Sequence, residues 1–337
     1  MMYIVCVIHL LYWTNFFPYP ITKSLFLFEM PMIFFISGVS YVYSKTKSSY
    51  FSYWIGRLKR VVFPYYFFVL VLWLILLTYN ILIKDSFDLS LKFWIDSLLL
   101  NFPYSSAIWF IKVYLIILLL APLLMCFYKK IKNITCILLA FLLLLWVLQF
   151  YGLPYRNIVC YSFFFILGID AKTSNWLENL KLKYVAPMLL ISAVVFTIFV
   201  LSGASVDLQQ NKFPPTILFF CYGTFLLIAT IILVWKRCVI LCKIKIFKWL
   251  IDVYSKHGYD IFLFQIISFF PFRLLQGKLS IAGINSTFSV ENIPLLTYVL
   301  LIIASFLYLL FSNAIFIVAI EKIKDFFLKL LKNLKLK

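Results

Sequence analysis

AIWFIKVYLIILLLAPLLMCFYKKIKNITCILLAFLLLLWVLQFY, residues 107–151, decides the fold. Its first run, 107–128, carries a single charge, Lys112, and its second, 134–151, carries none. Between them lie Lys129, Lys130 and Lys132. The hydrocarbon core of a bilayer needs about 20 apolar residues per crossing helix. Two such runs joined by a short lysine-rich turn read as neighbouring membrane helices that meet on the cytoplasmic side.

The same pattern extends in both directions. Apolar runs separated by charge or proline cover residues 1–17, 25–43, 61–83, 107–128, 134–151, 155–169, 184–202, 216–235, 251–271 and 293–320. The composition agrees, with 65% hydrophobic residues, 13% charged and a mean hydropathy of +1.03. One soluble core of this length cannot hide that much apolar surface, and a disordered chain would not contain it. The expected fold is all-α: a polytopic integral membrane protein of about ten transmembrane helices.

Charge sets the orientation. With the first run directed outward, the inner segments carry five, three, three, five and six Lys or Arg residues, and all the outer segments together carry seven. That alternation places both termini in the cytoplasm and makes the protein a multi-pass protein of the inner (plasma) membrane. It also accounts for the net charge of +19 without nucleic acid, because the basic residues lie between spans rather than on one module. Residues 1–320 then form one membrane domain. The tail 321–337, EKIKDFFLKLLKNLKLK, reads as a basic amphipathic helix on the inner leaflet. The seven cysteines are scattered without a CxxC pair, so neither a disulfide framework nor a metal site is expected.

Ionisable groups inside a span are costly and become functional candidates. His9, in IVCVIHLLYW, lies about 12 Å along the first helix, near mid-membrane. An imidazole there can move a proton or attack a thioester carbonyl, or it can simply hydrogen-bond a neighbouring helix. Glu29 needs a partner, for which His9 is the nearest plausible group, or it reaches water at the outer interface. Lys112 lies one turn into the fourth span, either as a functional charge or as a snorkelling one. Arg57 and Arg60 stand one turn apart, which suits phosphate oxygens and equally suits ordinary positive-inside bias. His257 falls near the basic loop ahead of the ninth span and reads as a helix-start residue. Asp260 and Gln265 lie deeper, where they can hydrogen-bond within the bundle. No P-loop, GxSxG, HExxH or dinucleotide fingerprint occurs.

Several segments, in order, resemble the membrane-bound acyltransferase 3 family, the bacterial O-acyltransferases of cell-surface glycans. After His9 comes MPMIFFISG (30–38), then RLKRVVFPYY (57–66), similar to the family's R-x-x-R-x-x-x-P-Y. AIWFIKVY (107–114), FFFILGI (163–169), KFPPTILFFCYG (212–223) and SKHGYDIFLFQ (255–265) continue the likeness across most of the chain. The resemblance implies acyl-CoA, in the first instance acetyl-CoA, as co-substrate, with no permanently bound cofactor and no metal. It implies a surface or lipid-linked glycan hydroxyl as acceptor.

By position the resemblance makes His9 catalytic, as general base or transient acyl carrier; Glu29 joins it as a catalytic candidate on the residue reading above. Arg57 and Arg60 would bind the donor's phosphates. Trp109, Lys112, Tyr259 and Gln265 stand as substrate-binding or structural candidates. The family also places an arginine ahead of this histidine; only eight residues precede His9 here and none is Arg. That departure points to a start further upstream, or to a copy lacking a donor-site residue. A transporter or glycan exporter without catalysis is the rival reading, although no internal repeat supports it. A degenerate member acting as a scaffold is a third.

Overall fold

The computed structural model describes residues 5–9, 24, 27–45, 49–83, 90–101, 109–176, 182–241, 243–281 and 295–334. Regular structure among these residues is helical: residues 5–9, then α1 (Glu29–Lys45), α2 (Tyr50–Ile83), α3 (Leu91–Leu98), α4 (Trp109–Ile131) and α5 (Ile134–Phe150). The chain continues through α6 (Arg156–Thr173), α7 (Leu182–Leu201), α8 (Ile217–Leu241), α9 (Lys245–Ile281) and α10 (Leu295–Leu334). Lys212 and Pro215 form an isolated bridge. Among the described residues, four helices are long and apolar enough to cross a membrane, over Tyr50–Leu82, Trp109–Ile131, Ile217–Val234 and Ile303–Lys322. Two further apolar helices, Ile134–Phe150 and Val185–Leu201, are shorter. Most of the first apolar run, and the last three residues of the tail, lie outside the described residues.

Helix ends follow local chemistry where the sequence supplies it. Asn133 caps α5, its side-chain oxygen accepting from the backbone N–H groups of Thr135 and Cys136. Ser90 does the same for the short α3 by accepting from Phe93 N. Other boundaries depart from the apolar runs. α2 begins at Tyr50 rather than near residue 61, so Arg57 and Arg60 sit within the helix and not before it. Hydropathy marks where lipid begins, whereas the backbone continues hydrogen-bonding through the charged turns. α10 likewise runs unbroken from the last apolar run into the basic tail as far as Leu334.

The chain divides into two units, residues 27–233 and residues 1–26 with 234–337. In the larger unit α6 is the hub. Every residue from Cys160 to Ala171 is buried, the signature of a helix surrounded by protein on all sides. α1, α4 and α5 pack around it, and Phe220 of α8 meets Phe163 and Phe164 at ring-centroid distances of 4.9 and 5.7 Å.

The closest approach is between α1 and α6. A Cβ on Gly38 would collide with the Phe165 carbonyl, and one on Gly168 with the Phe35 carbonyl. The two glycines face each other's backbone reciprocally, as small residues do where membrane helices touch. In the smaller unit α9 packs along α10, and the Tyr254 hydroxyl donates to the Leu310 carbonyl at 3.1 Å.

Candidate functional site

In the smaller unit Val5, Cys6, Val7 and Ile8 are buried, and the half-buried His9 follows them. The imidazole lies 5.9 Å from the ring of Phe262, centroid to centroid. Phe262 also stacks against Tyr259 at 6.4 Å, and its carbonyl accepts from Gln265 Nε2 at 2.7 Å. Three residues singled out by sequence, His9, Tyr259 and Gln265, therefore converge on a phenylalanine that was not. Gln265 Oε1 is buried without a hydrogen-bond partner, so one face of this cluster has spare accepting capacity.

His257 is not at the start of its helix. α9 begins at Lys245, and His257 sits well inside it at a kink (φ −113°, ψ 16°). It is 5% exposed, with Nε2 3.1 Å from Glu321 Oε2 on α10. Lys256 reaches the same oxygen at 3.6 Å from an exposed position. Nε2 is thus the ring nitrogen that faces the α10 carboxylate.

The larger unit carries charge at both ends of α1. At its start, Glu29 is buried and ion-paired with the buried Lys212 of the 204–216 loop. The sequence points to His9 as the nearest plausible partner for Glu29; the ion pair is made with Lys212 instead. Its Oε2 is buried without a hydrogen-bond partner, as is the hydroxyl of the fully buried Tyr161 on α6. Aromatic rings close around this pair. Phe34 stacks on Tyr161 at 4.7 Å, and Trp109 meets Tyr161 at 5.7 Å and Phe213 at 4.8 Å. Lys112 is occupied elsewhere, donating to Asn101 Oδ1 at 2.7 Å.

Toward the other end of α1, Arg57 Nη2 donates to Ser40 Oγ, and its guanidinium lies 5.3 Å from the centroid of the Tyr53 ring. Ser40 is eleven residues beyond Glu29, about 16 Å along the axis. Arg57 is half-buried and held, whereas Arg60 is exposed. Two guanidinium groups one turn apart on α2 make a surface suited to phosphate oxygens.

A third buried charge supplies the contrast. Asp170, 4% exposed, accepts from the Tyr128 hydroxyl on Oδ1 and from Trp176 Nε1 on Oδ2, each at 2.9 Å. Both oxygens are served from within the protein, so Asp170 ties the ends of α4 and α6 together. Glu29, with one oxygen unserved, is built differently.

A family model, the acyltransferase domain of the acyltransferase 3 family, matches residues 1–312. No curated protein and no solved structure gives a match. The match takes in His9, the Arg57–Arg60 pair and the whole Glu29 cluster, and it agrees with the apolar, all-helical architecture. The chain belongs to the acyltransferase 3 family of membrane acyltransferases.

Proposed function

We propose that the chain is an O-acyltransferase that moves an acyl group, acetyl in the first instance, from acyl-CoA to a hydroxyl of a surface or lipid-linked glycan. Family membership supports acyl transfer in general. The observation that carries the finer reading is His9, an imidazole that follows the buried apolar residues 5–8 and lies beside the Phe262 cluster. The acceptor oxygen attacks the thioester carbonyl, the C–S bond breaks, and the hydroxyl proton passes through His9 to the departing thiolate. In the variant route the imidazole first takes the acyl group itself and then yields it to the hydroxyl. Both routes end in an ester and free coenzyme A thiol.

The charge pattern supports ten crossings with both termini in the cytoplasm of a plasma-membrane protein. In that arrangement Arg57 and Arg60 face the cytoplasmic donor, and Arg60 is free to meet its phosphates while Arg57 is oriented by Ser40 and Tyr53. The Glu29–Lys212 pair then lies toward the opposite side, where the acceptor arrives. The basic tail, continuous with α10, carries its lysines to the inner-leaflet surface.

The test is His9→Ala in the full chain, with ester formation on the glycan measured against wild type. Loss of general-base catalysis alone lowers the rate about 10²- to 10⁴-fold, and loss of an acyl carrier lowers it at least as far. Activity within a few-fold of wild type would remove His9 from the mechanism.

A further inference from the structure

We propose that Glu29, Lys212 and Tyr161 form the floor of a subsite for a neutral sugar hydroxyl, walled by Trp109 and Phe213. That this sugar is the acyl acceptor rests on the acyltransferase reading; that a sugar binds here does not.

The first observation is the pair of unserved buried atoms. Glu29 is 2% exposed and Tyr161 0%, yet neither Glu29 Oε2 nor the Tyr161 hydroxyl has a hydrogen-bond partner. Buried polar atoms are ordinarily paired, and an unpaired one costs the full desolvation of the group. Asp170 shows that this same unit can satisfy both oxygens of a buried carboxylate when the role is structural. Tyr161 lies within electrostatic reach of Glu29. One alcohol group answers both needs, since it donates to a carboxylate oxygen and accepts from a phenol.

The second observation is charge. Lys212 neutralises Glu29, so the floor carries no net charge and favours a neutral ligand over an ammonium or a phosphate. The third is the wall. Trp109 is half-buried and Phe213 is 43% exposed, whereas Glu29 and Tyr161 are buried, so the aromatic residues are the more accessible part of the cluster. Aromatic faces over a polar floor suit a pyranose, which presents C–H groups on its faces and hydroxyls at its edge.

The experiment uses the purified full chain in detergent and a panel of neutral sugars: glucose, galactose, rhamnose and N-acetylglucosamine. Binding is read by saturation-transfer NMR, and unfolding temperature is followed in parallel. At least one sugar should bind wild type, and Tyr161→Phe should weaken it about tenfold. The same substitution should leave the unfolding temperature unchanged or raised, because the hydroxyl has no protein partner to lose. A merely structural tyrosine would show the reverse. No binding across the panel, or equal binding by Tyr161→Phe, overturns the subsite. Acyl transfer with an acceptor KM unchanged by Tyr161→Phe keeps the enzyme and sinks the subsite. Sugar binding through Tyr161 without acyl transfer does the opposite.

Discussion

Gly168→Ala is expected to cost the protein its folded state, or most of its stability, although only one methyl group is added. The new Cβ would fall on the backbone carbonyl of Phe35, and a backbone atom cannot rotate away as a side chain can. Overpacking a core ordinarily costs about 1–3 kcal/mol. Here α1 and α6 must separate, and α6 is packed by α1, α4 and α5, so the loss belongs at or above the top of that range. Gly38→Ala should behave alike, since the arrangement is reciprocal. Gly56 is the control. It lies in α2 with nothing near a built Cβ, so Gly56→Ala should be neutral or stabilise by about 0.5–1 kcal/mol. Monodisperse yield and thermal unfolding in detergent check all three. A Gly168→Ala protein that melts with wild type would refute the close crossing.

Glu29→Gln has the next largest expected effect, about 3–5 kcal/mol of lost stability, because it leaves Lys212 charged, buried and unpaired. Lys212→Met should cost a similar amount by stranding the carboxylate. The double replacement Glu29→Leu with Lys212→Met removes both charges and should recover most of the loss, as apolar replacements of buried pairs commonly do. The cycle separates structure from chemistry: stability returns in the double variant, but the polar floor does not. Additive losses in the double variant would show that the two side chains do not act as a pair.

Much of the helical architecture was readable as apolar runs, because lipid demands length and hydropathy together and both are written locally. The run 134–151 maps onto Ile134–Phe150, with Asn133 capping it. The start of α2 was not readable, since nothing in hydropathy tells a helix to continue through Arg57 and Lys59. α3 was missed because an eight-residue amphipathic helix gives no membrane signal.

The site was less legible than the fold. His9, Glu29, Arg57 and Arg60 stand out as charges in or beside apolar runs. Lys212 looked like an ordinary loop lysine, because its partner is 183 residues away and no periodicity links positions so distant. Tyr161 was invisible among the apolar residues of α6, for its significance lies in an oxygen that only burial reveals. Gly38 and Gly168 each appeared in a family-like segment, FISG and LGI, with no sign that they meet.

The most direct measurement of the central claim places the purified full chain in proteoliposomes with a lipid-linked glycan and acetyl-CoA labelled in its acetyl group. The account predicts label on the glycan as an alkali-labile ester, with one coenzyme A thiol released for each ester formed. Glycan crossing the vesicle membrane while acetyl-CoA remains unconsumed would contradict it and make the protein a carrier.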